Sequence, residues 1–212
     1  MVPLLQRCNV NLQALADLIT QARRGDRKSK TQSPTRTADA NGNWKCNACG
    51  ALKPTDEFCA SPRKSSVPVT SYCKACQADR DYKYRCTLRG NIRTLLSNAR
   101  RSARRRGQPC SLHFDGLLDL LWEQKGRCFY SAVPMEFLRP NSHWRMSLER
   151  IDNNEGYTET NTVLIAAEFN TADYSRNKAT NIVYGTAQWS KAKVKYVLGE
   201  SPVTDVDPDR AH

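Results

Sequence analysis

The sequence predicts an α+β chain made of a small four-cysteine module, a basic helical segment and a strand-turn-strand unit. Three observations carry this. Apolar residues recur at helical spacing over 10–24, 92–103 and 114–122. Two CxxC pairs, Cys46/Cys49 and Cys73/Cys76, enclose 23 residues. Apolar and polar positions alternate from Met146 to Ile151, and after a run of turn formers Thr162-Val163-Leu164-Ile165 restores strand character.

Composition bounds the possibilities. In 212 residues, 33 Lys+Arg against 21 Asp+Glu leave a formal charge of +12, which favours a polyanionic partner. A basic ribosomal or chromatin protein would have the same balance. Hydrophobic residues make up 39% and charged ones 25%, enough for a modest core with part of the chain extended. No apolar run approaches the roughly 20 residues a bilayer span needs, so a membrane is excluded as partner and a soluble, intracellular protein is expected. Nine cysteines then imply a reducing compartment, with thiols free or bound to metal.

Residues 1–24 are expected to hold one amphipathic helix, with Val10, Leu12, Leu15, Leu18 and Ile19 on a face that docks on the body or on a partner. Residues 25–43 are polar and basic and read as a flexible linker. Residues 44–80 form the cysteine module. Each CxxC turn aims two thiolates at one ion, so Cys46, Cys49, Cys73 and Cys76 are the predicted ligands of a structural zinc, against the alternative of unrelated buried thiols. Cys59 and Cys86 are substitute ligands, though neither belongs to a pair. Four thiolates leave no open coordination position, which makes the site structural.

Residues 81–110 form the basic helical segment. Ile92, Leu95, Leu96, Ala99 and Ala103 share one face, Arg93, Arg100 and Arg104 flank it, and Arg101 and Arg105 point away. That arrangement suits phosphate contacts along a duplex; a solvated face or a nuclear-localisation run over Arg100–Arg106 is the plainer alternative. Gly107-Gln108-Pro109 ends the helix. Phe114, Leu117, Leu118, Leu120, Leu121 and Trp122 then predict a core helix closed by Gly126, inside a domain spanning 111–198. Residues 199–212 are acidic, contain proline and read as a disordered tail.

The stretch SLERIDNNEGYTETNTVLIAAEFN, from Ser147 to Asn170, resembles the HNH, or His-Me finger, nucleases, in particular a sub-pattern close to S-L-[DE]-R-I-D-x-x-x-G-Y-T-x-x-N. The resemblance implies a ββα-metal domain with a helix opening at Ala166. It places Glu149 on the acidic metal ligand, Arg150 on the position of the general-base His, Asn161 on the middle Asn and Asn170 on the ligand from the helix. Arg127-Cys128-Phe129-Tyr130-Ser131 resembles the place where such proteins carry a zinc knuckle. Ser131 stands in for its second cysteine, so no zinc is expected there and Cys128 should be a buried thiol. Lys178, near the end of the resembling segment, is a candidate phosphate contact.

A carboxylate and an amide oxygen are hard ligands suited to magnesium or manganese, which polarise a phosphoryl group. Arg150 cannot accept a proton and is expected to clamp the scissile phosphate. The base would then be His143, Tyr157 or a metal-bound hydroxide, with His143 first among side chains. The expected function is a metal-dependent DNA endonuclease in a DNA-containing compartment such as the nucleus, cutting one strand per centre, with both strands cut only by a homodimer or by two successive nicks. The alternatives are a nucleic-acid-binding protein with an impaired HNH scaffold and a basic protein assembled on structured RNA.

Overall fold

The computed structural model describes residues 10–25, 36–61 and 67–170, with 175–176 and 183–184 as backbone. In chain order the elements are helix α1 (Leu12–Arg24), strands β1 (Trp44–Lys45), β2 (Leu52–Lys53), β3 (Phe58–Ala60) and β4 (Val69–Cys73), and helices α2 (Lys74–Arg85), α3 (Leu88–Arg106) and α4 (Phe114–Glu123). Strands β5 (Met146–Arg150), β6 (Thr162–Ala166), β7 (Ser175–Arg176) and β8 (Val183–Tyr184) follow, and each strand pairs antiparallel with one neighbour. The class is α+β, as expected. The chain divides into two compact units, one of residues 26–84 and one joining 1–25 to 85–212.

In the larger unit, α1 docks on the body, which settles the question its sequence left open. Asn11 caps it by accepting the Ala14 N–H, and Leu15, Ile19 and Ala22 are buried in the cluster that also holds Ile92, Leu96, Leu117, Leu118 and Leu121. Polar ties reinforce the packing: Arg23 pairs with Asp119, and Arg89 donates to the Ala22 carbonyl. Helix α3 begins at Thr87, whose Oγ1 accepts the Gly90 N–H, and stops at Gly107, left-handed at φ 69°. On α4, Leu117, Leu118 and Leu121 are buried as predicted. Trp122, expected in the core, is instead 46% exposed because it falls on the flank of the buried face of the helix.

Strands β5 and β6 pair in strict register, Leu148 opposite Leu164 and Glu149 opposite Val163. The alternation along β5 is as expected, with Met146, Leu148 and Arg150 buried and Ser147 and Glu149 half-buried. All of β6 is buried. Its outer edge is closed by Gln124, whose side-chain amide donates to the Leu164 carbonyl at 2.7 Å and accepts the Leu164 N–H at 2.9 Å. Phe129 N–H donates to the same carbonyl. The helix expected from Ala166 is a correction: Ala166 ends β6, and Ala167–Phe169 make a single 3-10 turn. Three of its residues are drawn into other work, since Ala167 N–H pairs with the Arg145 carbonyl, Glu168 N–H with the His143 carbonyl and the Phe169 ring with Trp144.

The smaller unit is two tiny sheets around a second cluster of Trp44, Cys46, Phe58, Val69 and Cys73. Residues 36–43, expected as linker, belong to it. Asp39 Oδ1 accepts the N–H groups of Asn41 and Asn43, folding a tight turn before β1. The remaining linker residues 26–35, the tail 199–212 and Lys178 lie outside the described residues.

Candidate functional site

Strand β4 runs directly into α2, which places Cys73 at the end of the strand and Cys76 in the first helical turn. The β1–β2 turn brings Cys46 and Cys49 to them, and the four ligand atoms lie within 4.8 Å of one another. Tetrahedral thiolates about 2.3 Å from one ion would sit about 3.8 Å apart, so the cluster is of metal-binding dimensions. Cys46 and Cys73 are buried at 0% and 1%, while Cys49 is exposed. Burial opposes ionisation of Cys46, yet N–H groups of Cys49, Cys73 and Ala48 donate toward its sulfur and bring its pKa down to about 6. Cys76 is pushed up to about 12, first by its hydrogen bond to Cys73 and then by burial, because four thiolates cannot share so small a space without a cation. Cys59 and Cys86 are not members of the cluster.

A residue invisible to sequence reading locks this unit. Arg36 donates to the carbonyls of Thr70 at 2.9 Å and Lys45 at 2.7 Å, and its guanidinium stands 5.8 Å from the Trp44 ring and 5.7 Å from Phe58. It thereby ties the β1 half of the cysteine cluster to the β4 half. A lone arginine in a polar stretch gives no pattern from which this could be read.

In the larger unit, the motif from Ser147 to Asn161 builds the loop between β5 and β6. Arg150 is 7% exposed, and its Nη1 donates at 2.8 Å to each of Gln108 Oε1, the Asn153 carbonyl and the Glu155 carbonyl, while Nη2 reaches Asn153 Oδ1 at 3.0 Å. The Tyr157 ring lies 5.5 Å from the same guanidinium. Asn161, 5% exposed, accepts the Asp152 N–H and donates to the carbonyls of Asp152 and Gly156. Thr158 Oγ1 accepts the Asn161 N–H. Gly156 lies so close to α3's exit that an added Cβ would meet the Pro109 carbonyl oxygen at 2.1 Å. Tyr157 N–H donates to that carbonyl, and Ser111 N–H to the Tyr157 carbonyl.

These placements give Arg150 a structural task. Its Nη1 and one Nη2 hydrogen are engaged by carbonyl and amide oxygens of Gln108, Asn153 and Glu155, which turns the guanidinium into the loop. His143 is likewise engaged inside the fold. It precedes β5, with Nδ1 at 3.0 Å from Oε2 of the fully buried Glu168, whereas Glu149 lies three residues into the strand, a further step of about 10 Å. Tyr157 sits on the Arg150 side of the hairpin, away from Glu149.

Glu149 and Asn170 are brought to one face of β5. Asn170 Nδ2 donates to Ser147 Oγ at 2.9 Å and to the Leu148 carbonyl at 2.7 Å, and Ser147 is the residue two before Glu149 on the same side of the strand. The Asn170 Oδ1 has no donor, and the Glu149 carboxylate no hydrogen-bond or ion-pair partner, among the described residues. Ile151, next on that face, is 56% exposed.

All five arginines of interest on α3, namely Arg93, Arg100, Arg101, Arg104 and Arg105, are exposed. Arg93 stands 5.2 Å from the Phe114 ring, Arg100 donates to the Leu112 carbonyl and Arg101 to Asn98. The side chains of Arg104 and Arg105 have no hydrogen-bond or ion-pair partner among the described residues. Cys128 is a buried thiol, as expected. Among the described residues no helix is long and apolar enough to cross a membrane.

No protein-family model and no solved structure matches the chain. Over 86 residues, 40% of its length, it is 34% identical to the uncharacterized 29.0 kDa protein in the dda-modA intergenic region of enterobacteria phage T4. The aligned stretch spans 33% of that phage protein's length.

Proposed function

We propose that the chain binds nucleic acid through α3 and hydrolyses a phosphodiester at the face of β5 that carries Glu149, in the manner of the HNH nucleases its motif resembles. The observation that carries this reading is the division of labour inside the motif. Ser147, Leu148, Arg150, Asp152, Gly156, Tyr157, Thr158 and Asn161 each have an internal task, in the core or in the loop, whereas the Glu149 carboxylate has none among the described residues. A charged side chain held on a rigid hairpin without structural duty is a candidate for contact with something outside the fold.

Glu149 and the Asn170 Oδ1 would hold magnesium or manganese, whose chemistry is to offset charge on the phosphoryl oxygens. The chain's residues supply the setting. The Arg150 and Asn161 network fixes the hairpin end, and the exit of α3 is pinned to the same loop through Gln108, Pro109 and Ser111, so the arginines of α3 and the Glu149 face keep one register. The cysteine cluster fits zinc, since its four sulfur donors form a closed soft set, and its role is to fold residues 36–84.

A plasmid nicking assay in magnesium or manganese tests this reading. Cutting should be abolished by Glu149→Ala and reduced at least tenfold by Asn170→Ala. Tight binding without cutting in any divalent ion would support the second reading, a binding protein on an impaired scaffold. That reading is favoured by one specific observation: the described histidines, His113 and His143, pair with Glu159 and Glu168, and Arg150 is internally engaged.

A further inference from the structure

We infer that the cleft beside Glu149 is a subsite for a nucleobase, the base attached to the phosphate that Glu149 faces; the inference rests on the reading of Glu149 given above. The cleft is lined by Leu120, Cys128 and Val163 on its apolar side, by the Phe129 ring, and by the cations Lys125 and Arg127 together with one acid, Glu123. Val163 is the cross-strand partner of Glu149, so the two side chains stand on one face about 5 Å apart at Cβ. The cleft therefore lies one strand across from the candidate catalytic carboxylate, with Val163 as their shared neighbour.

Its chemistry suits a flat, aromatic, uncharged group tethered to an anion. Phe129 is 53% exposed and Tyr130 59%, packed edge-to-face on each other at 5.3 Å between centroids. They are presented by a tight turn in which Ala132 adopts a left-handed backbone at φ 57°, a conformation that costs a non-glycine residue energy. That turn is anchored on both sides: Arg127 donates to the Ala132 carbonyl, and Phe129 N–H to Leu164 on β6. An anchored turn that holds two aromatic rings in water is matched to a partner with an aromatic face. The occupant is a nucleobase rather than an apolar peptide because Lys125 and Arg127 stand at the cleft, the chain carries +12, and the neighbouring face is the one assigned to a phosphate.

The test uses the full chain in a Glu149→Ala background, which prevents cutting, and a mixed-sequence DNA duplex carrying one unpaired 2-aminopurine. Binding should quench the probe, as stacking does. Phe129→Ala should remove the quench and weaken binding about tenfold, and Phe129→Trp should restore both. Because Phe129 is half in water the variant should keep its thermal midpoint, which is measured alongside. Unchanged quench and affinity in Phe129→Ala would overturn the proposal. So would sedimentation showing that Phe129→Ala instead converts a dimer to a monomer with DNA binding intact, which would make this face a protein interface. Failure of the nicking assay with the quench preserved would count against Glu149 as a catalytic group and leave the base subsite standing.

Discussion

The two units hold their functional side chains in opposite ways. In residues 36–84 the chemistry-bearing groups are the core itself: Cys46 and Cys73 are fully buried and share their cluster with Trp44, Phe58 and Val69, with Val67, Tyr72 and Cys76 packed against it. In the larger unit a core drawn from α1, α3, α4, β5 and β6 exists without Glu149, which rides on its surface. The lesson is that loss of a ligand should unfold the first unit and only disarm the second.

The largest expected effect is on the cysteine unit. Cys46→Ser with Cys73→Ser, or a strong chelator, should remove metal and unfold residues 36–84, since structural zinc contributes on the order of 10 kcal/mol. Metal analysis and amide exchange check this, and protection of Leu117, Leu121 and Leu164 should survive. Acid acts in the same place. The pKa of Cys46 in the fold, about 6, lies below its ordinary 9.0, so the stabilisation it gives is complete above about pH 9 and lost as pH falls through about 6. Metal content and amide protection of the unit, followed through a pH series on the metal-bound protein, should be lost together toward acid pH.

Within the larger unit the contrast sharpens between loop builders and the surface carboxylate. Gly156→Ala must displace the Pro109 carbonyl, and Arg150→Met strips hydrogen bonds from the carbonyls of Asn153 and Glu155; each should cost about 2–4 kcal/mol in denaturant unfolding. Glu149→Ala should change stability by less than about 0.5 kcal/mol while abolishing nicking. A Glu149 variant as unstable as Arg150→Met would erase the distinction. The smallest effect is expected from Arg104→Ala and Arg105→Ala, which should leave the fold intact and each lower the salt dependence of DNA binding by about one phosphate contact.

Much of this organisation was legible in the sequence, for reasons of period. Helix α1 and the buried face of α3 follow a 3.6-residue repeat and β5 a two-residue one, and both repeats are local properties. The cysteine pairs were legible because ligand spacing is chemistry written along the chain. What could not be read depends on partners distant in sequence. Arg36 meets Thr70, Arg150 meets Gln108, and His143 meets Glu168, and no local pattern announces these pairs. The short 3-10 turn at Ala167–Phe169 was hidden likewise, since its backbone and rings are claimed by the segment before β5.

The amide of Gln124 has a consequence beyond this fold. With one donor and one acceptor fixed on Leu164, it imitates a single residue of a third strand, and Asn170 occupies the Leu148 carbonyl on the far rim of the pair. A two-stranded ribbon left bare would recruit strands from other molecules and grow into fibrous aggregates. Two carboxamides, joined by the Phe129 N–H at Leu164, occupy rim groups of this ribbon that would otherwise template a polymer, and they do so without lengthening the chain by a strand.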